Sequence, residues 1–255
     1  MRRALVTAMS VLCLGIAACA SNESGKLHKP EPDRASEINL EIGIDHLRKG
    51  NLPQAKEKID RALEQNPRNA KAQMAAGLLY DRLGDIKKAD SHFDRALTLD
   101  PKNPDLANNY AAFLCKNERY ERGEKFALQA ASNPLYGTPE VAYLNAGQCA
   151  QAGKDLKRAE GYYRQAIAAQ PRFAAGLFAL AELELQQKNY LSARAFLERY
   201  LSVSRTSPST LWLGVRIERG LGNAAAANQY AQRLKNEFPQ AAETKQLLQS
   251  ERNPG

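Results

Sequence analysis

The sequence predicts an all-α fold made of stacked helix pairs, and three observations predict it. The chain repeats itself every 34 residues: Gly43 and Gly77, Ala55 and Ala89, and Pro67 and Pro101 each stand one period apart, as do Ala159, Ala193 and Ala227. The phrases ALEQNP and ALTLDP close successive units with a proline, which lacks an N–H and cannot continue a helix. No stretch reads as a strand-rich second domain, and 25% charged with 44% hydrophobic residues is a normal globular balance. A unit of this length cannot bury its apolar face alone, so neighbouring units must stack into a solenoid.

In chain order, residues 1–18 come first and read as an export signal. Arg2 and Arg3 supply its positive start, and the apolar stretch from Ala4 to Ala18 is shorter than the about 20 residues a permanent membrane helix needs. The motif Ile16-Ala17-Ala18-Cys19 resembles the lipobox of bacterial lipoproteins. That resemblance implies that Cys19 is acylated (palmitate is one of the expected chains) and becomes the first mature residue. The absence of aspartate at Ala20 implies the outer membrane, with the body facing the periplasm. Acyl chains at about 0.8 kcal/mol per buried CH₂ would hold it there. Residues 19–35, rich in Pro, Ser and charge, are expected to form a lipidated flexible tether.

The body from residue 36 to 250 carries the repeats. Gly77, Ala89 and Ala96 supply small residues where two helices must approach, Tyr80 and Phe93 supply large ones between neighbours, and Pro101 ends the unit. This pattern resembles the tetratricopeptide repeat (TPR), which implies a right-handed α-solenoid of about six A/B helix pairs. The repeats are expected at 36–69, 70–103, 104–139, 140–173, 174–207 and 208–239, with a capping helix at 240–250 and a disordered tail at 251–255. Repeat 4 fits well, with Gly147, Ala159, Tyr163, Ala166 and Pro171. Repeat 3 departs from the pattern: Gly123 replaces the mid-repeat alanine, and SNPLYGTP adds two residues.

Several chemistries are argued against by what stands in the sequence. Formal net charge is +8; removing Arg2 and Arg3 leaves 34 basic against 28 acidic side chains, spread without a block of five like charges. That is a solvated surface rather than a nucleic-acid patch. The string from Gly147 to Asp155 has five residues between its glycines and Asp after Lys154, so it is no phosphate-binding loop. His28, His46 and His92 lack metal-ligand spacing. Glu182 and Glu184, two apart on one helix, point to different sides. No enzyme, cofactor, metal or small-molecule substrate is expected. The carboxylate clamp of chaperone-binding TPR proteins would fall on Leu40, Ile44, Ala75, Asp105 and Asn109, which do not match it.

The lipobox, about six repeats in a body of this size, and the phrase NPDLANNYAAFLCKNERYERGEKFALQAASNPLYGTP together resemble the type IV pilus biogenesis and stability lipoproteins, which are secretin pilotins. That resemblance implies a scaffold that binds the secretin, promotes its outer-membrane localisation and oligomer assembly, and is needed for pilus biogenesis and twitching motility. A TPR lipoprotein of another envelope machine, for outer-membrane protein insertion or peptidoglycan synthesis, is the alternative.

In TPR proteins the A helices line the concave face. On that register Leu40, Ile44, Leu47, Met74 and Leu78 form an apolar stripe expected to bind the partner, while Asn108, Gln148, Glu182 and Arg216 line most of the later repeats and Trp212 is a second candidate. Repeat 1 lacks an N-terminal neighbour, so the stripe could instead pack under residues 20–35. Cys115 and Cys149 fall on A helices of adjacent repeats, and the periplasm is oxidising; a disulfide is expected, two buried thiols being the alternative.

Overall fold

Proline and asparagine punctuate the chain at nearly regular intervals, and the secondary structure follows them. The computed structural model describes residues 31–252. Among these, thirteen helices form six antiparallel pairs and one closing helix, with no strand: α1 (Pro32–Arg48) with α2 (Leu52–Gln65), α3 (Ala70–Arg82) with α4 (Ile86–Leu99), α5 (Pro104–Lys116) with α6 (Tyr120–Ala131), α7 (Pro139–Ala152) with α8 (Leu156–Ala169), α9 (Ala174–Gln186) with α10 (Tyr190–Leu201), α11 (Pro208–Gly220) with α12 (Ala224–Glu237), and α13 (Ala242–Arg252). Helices touch only those one or two places away in chain order, as a solenoid requires.

Local chemistry sets the helix ends. Asn69 and Asn103 accept N–H donors of the first turn of α3 and α5, and Asp85, Asp155 and Asn223 do the same for α4, α8 and α12. Pro104, Pro139 and Pro208 open their helices where no N–H is needed. Every A-to-B turn contains one residue in the left-handed region. Gly50, Gly84 and Gly222 fill it in three turns at φ 70–78°, and Glu118, Lys154 and Lys188 fill it in the other three at φ 61–67°.

The two kinds of helix bury different amounts of themselves. The B helices α2, α4 and α8 bury a single stripe each: Ala55, Ile59, Ala62; Ala89, Phe93, Ala96; Ala159, Tyr163, Ala166. The A helices α3, α5, α9 and α11 bury six or seven residues because they are packed on several sides. Each fully buried large side chain, such as Phe93 or Tyr163, contributes about 1.5–3 kcal/mol. Polar links cross the repeat boundaries. Asp90 on α4 takes both guanidinium nitrogens of Arg119 at 2.9 Å and the Tyr110 hydroxyl at 2.7 Å.

Two boundaries differ from the sequence reading. Helix α1 starts at Pro32, so residues 32–35 are helical rather than tether; Asn66 donates to Asp33 at 2.7 Å and Ser36 donates to the Ala62 carbonyl at 2.8 Å, which ties this turn to repeat 1. The closing helix runs to Arg252, and Glu251 at its end pairs with Lys235 at 2.8 Å, so these two residues are not tail. In the SNPLYGTP connection, Tyr136 is buried with Ala107, Ala130 and Ala142 while Leu135 is exposed.

Candidate protein-binding groove

The A helices carry the candidate site, because their open sides lie next to one another along the solenoid. Two clefts mark that shared channel. One, of about 670 Å³, lies between α1 and α3 and is lined by Leu40, Ile44, Glu37, Glu41, Asn69 and Lys71, among others. A smaller one, of about 280 Å³, lies between α5 and α7, against Ala112, Cys115, Lys116, Asn145, Gln148 and Ala152.

The five expected contact residues do not share one environment. Leu40 and Leu47 are 4% and 5% exposed and belong to the core that joins α1 to α2 and α3. This corrects the expectation of a water-facing stripe at those two positions: an A helix with only one neighbouring repeat still turns these residues towards it. Ile44, Met74 and Leu78 are half-buried and keep part of their surface on the channel side. Met74 Sδ accepts from Asn109 Nδ2 at 3.5 Å.

The structure also brings forward Leu144 and Phe178, which the sequence reading passed over. Leu40, Met74, Asn108, Leu144, Phe178 and Trp212 occupy one position in the six A helices, and all but Asn108 are apolar. Leu144, Phe178 and Trp212 are half-buried, and the Phe178 ring lies tilted against Tyr200 with centroids 5.6 Å apart. Asn145 donates to Asn108 at 2.8 Å, which satisfies the one polar rung. The signal was present as the same 34-residue spacing. A second row, Ile44, Leu78, Ala112, Gln148, Glu182 and Arg216, runs from apolar to charged along the chain. Glu182 keeps exposed surface, yet partial desolvation by its neighbours pushes the carboxyl up, and Arg216 pulls the other way. This second row is thus apolar at its N-terminal end and polar at its C-terminal end.

The remaining polar residues are occupied in holding repeats together. Glu184, unlike Glu182, is buried and is held by Arg164 at 3.3 Å and Asn189 at 3.0 Å. His92 Nδ1 lies 2.7 Å from Gln73 Oε1 and the ring stacks on Tyr80; burial lowers its pKa. Among the described residues no group of three His, Cys, Asp or Glu side chains is placed to hold a metal ion. Helices α5 and α7 bring Cys115 and Cys149 together, with Cα atoms 5.2 Å apart, inside the span of a disulfide. Gly123 on α6 makes the room: a Cβ there would come within 2.5 Å of the Cys115 sulfur and 2.9 Å of the Cys149 sulfur. Cys19 lies outside the described residues, and no described helix is long and apolar enough to cross a membrane.

Comparison with known proteins adds to this geometry. The tetratricopeptide repeat family matches residues 40–104 and 142–209, and a second tetratricopeptide repeat family matches 92–125. The type IV pilus assembly protein PilF of Pseudomonas aeruginosa is 26% identical over 235 residues, 91% of this chain and 93% of its own. The crystal structure of PilW, a widely conserved type IV pilus biogenesis factor, superposes with a TM-score of 0.78 at 31% identity, over 84% of this chain and 98% of that one. The structure of Pseudomonas aeruginosa PilF superposes with a TM-score of 0.74 at 25% identity, over 86% and 99%.

Proposed function

The chain belongs to the tetratricopeptide repeat family and is a homologue of the PilF and PilW type IV pilus assembly factors, and from that membership we propose that it is the lipid-anchored scaffold that binds the pilus secretin and helps it assemble in the outer membrane. The similarity to PilW over nearly the whole of that protein is the observation that carries the pilus role. The secretin as partner follows from the kind of work such a scaffold does. A tetratricopeptide solenoid acts by holding another polypeptide, and the channel offers apolar surface at Ile44, Met74 and Leu78 for an amphipathic segment to cover. Methionine adapts to such a segment because its side chain is unbranched and polarizable. Cys19, in the lipobox-like IAAC, is the proposed acylation site that keeps the scaffold at the membrane.

The experiment is to delete the chain from its own cells and restore it as wild type, as Cys19→Ala, or as Ile44→Asp with Leu78→Asp. Wild type should restore heat-resistant secretin multimers in the outer membrane and surface pili. Cys19→Ala should leave the protein soluble and the multimers mislocalised. The groove variant should keep its melting temperature and lose secretin capture. Normal secretin multimers in the deletion strain would remove the secretin reading, and pilus loss together with a general envelope defect would point to the outer-membrane insertion machinery instead.

A further inference from the structure

The stacking face of α1 is unfinished. Ile38 and Ile42, one turn apart on α1, are 47% and 40% exposed. In the next five repeats the place of Ile38 is taken by Ala72, Leu106, Ala142, Gly176 and Thr210, and the place of Ile42 by Ala76, Tyr110, Ala146, Leu180 and Gly214. All ten are buried; most face the repeat before, as Tyr110 does through Asp90, while Gly214 lies against Tyr230 of its own pair. The other end of the solenoid does not share the problem: α13 lies over α11 and α12 and sets Leu247 among Leu211, Val215 and Leu234. One end is capped, and at the other the described residues leave two isoleucines uncovered.

Beside those isoleucines runs a row of carboxylates. Asp33, Glu37, Glu41 and Asp45 recur every four residues and so share one side of α1, between the isoleucine face and the groove side of Leu40 and Ile44. Asp33 stands in the first turn, where the helix dipole favours it, and Asp45 is held by Lys49 at 2.7 Å. Glu37 and Glu41 sit mid-helix, are exposed, and have no ion-pair partner among the described residues. Like charges four apart weaken a helix, so helix stability does not account for them. Arg34 at one end and Arg48 and Lys49 at the other are the basic side chains that flank this stretch.

We propose that the α1 end face docks a basic amphipathic helix of a partner protein, which completes the stack as a preceding repeat would. Its apolar side covers Ile38 and Ile42, and its Lys or Arg side chains lie along Glu37 and Glu41. Charge selects this occupant. Two copies of this chain meeting through α1 would set carboxylate row against carboxylate row, which opposes self-pairing. The partner is defined here by its chemistry, and the proposal does not rest on the secretin reading.

The test is site-specific photo-cross-linking in the cells that make the protein, with p-benzoylphenylalanine replacing Ile38 or, separately, Ile42 in the full-length chain. Mass spectrometry of the adducts then reads the captured segment. The expected result is one segment of another protein whose apolar residues follow helical spacing beside Lys or Arg. Glu37→Lys with Glu41→Lys should cut the adduct at least tenfold with an unchanged melt, and Glu37→Gln with Glu41→Gln should fall between. The proposal is overturned by no adduct at either position, by an adduct to a second copy or to residues 20–30 of the same chain, by a captured segment without excess positive charge, or by yields indifferent to the charge reversal.

Discussion

Gly147 on α7 and the Tyr163 ring on α8 share one volume: a Cβ on Gly147 would overlap the ring at Cε1 and Cδ1. The same pair of positions trades volume along the solenoid, with Gly43 facing Ile59 and Gly77 facing Phe93. Where the A-helix residue grows to Ala111 or Val215, the B-helix residue at that spacing shrinks to Ala127 or Ala231. Gly147→Ala is therefore expected to cost about 1–3 kcal/mol by overpacking. Adding Tyr163→Leu should lose less than the sum of the two single changes, a coupling readable by urea denaturation of all four proteins. Additive losses would mean that the two residues do not compete for space.

The six A-to-B turns predict a set of substitutions with opposite signs. Glu118, Lys154 and Lys188 hold left-handed backbone that glycine adopts freely. Each changed to Gly is expected to stabilise by about 0.5–1 kcal/mol, and Gly50→Ala, Gly84→Ala or Gly222→Ala to destabilise by a similar amount. Space does not oppose these alanines, since a Cβ at all three glycines meets nothing within 4 Å. Midpoints in urea for the six variants check both signs.

Two carboxylates, the half-buried Asp90 and the buried Glu124, should respond to pH in opposite directions. Burial pushes the Asp90 carboxyl up, but the hydrogen bonds from Arg119 and Tyr110 outweigh it and leave the pKa below the ordinary 3.8. Its contribution is present above that value and is lost as pH falls through the lowered pKa. Asp90→Asn should cost about 1–3 kcal/mol at pH 7 and progressively less in acid. Glu124 is the reverse case. Burial raises its pKa above the ordinary 4.5, with Arg158 at 3.1 Å pulling the other way. Its contribution is full below 4.5 and is lost as pH rises through the raised pKa. Glu124→Gln should therefore gain on wild type as pH rises from 4.5 to 7, staying within about 1 kcal/mol. Denaturation curves across pH compare the two slopes.

The cysteine pair gives a redox prediction. A Cys115–Cys149 bridge, with 34 residues of separation, would stabilise by about 3–4 kcal/mol on chain-entropy grounds. Reduction should lower the melting temperature of wild type and leave Cys115→Ala with Cys149→Ala unchanged. Denatured, unreduced mature protein should show no titratable thiol at these positions, and two thiols would refute the bridge. Gly123→Ala should hinder closure, because its Cβ would meet both sulfurs.

Much of this was legible in the sequence because a repeat states its rules several times. Pro104, Pro208 and the small residues Gly77, Ala89 and Ala96 gave helix order and spacing to within a few residues. The ends were harder, since an end has no second copy to compare. The start of α1 at Pro32 depends on contacts from Asp33 and Ser36 to repeat 1, which no periodicity encodes. The groove was half legible. Ile44, Met74 and Leu78 keep partly open surface, whereas Leu40 and Leu47 are core, because one helical register serves both the channel and the contact with α3. Leu144 and Phe178 were overlooked when the polar Gln148 and Glu182, one turn further along, stood for their repeats.

The neighbour-only contacts have a mechanical consequence. A strain at one joint between repeats reaches the rest of the molecule only through the joints that follow, so the solenoid bends as a spring of six linked plates. Small rotations at each joint add up along its length and change the curvature of the channel. A long partner can thus be fitted by many slight adjustments, none of which opens the core of any single repeat.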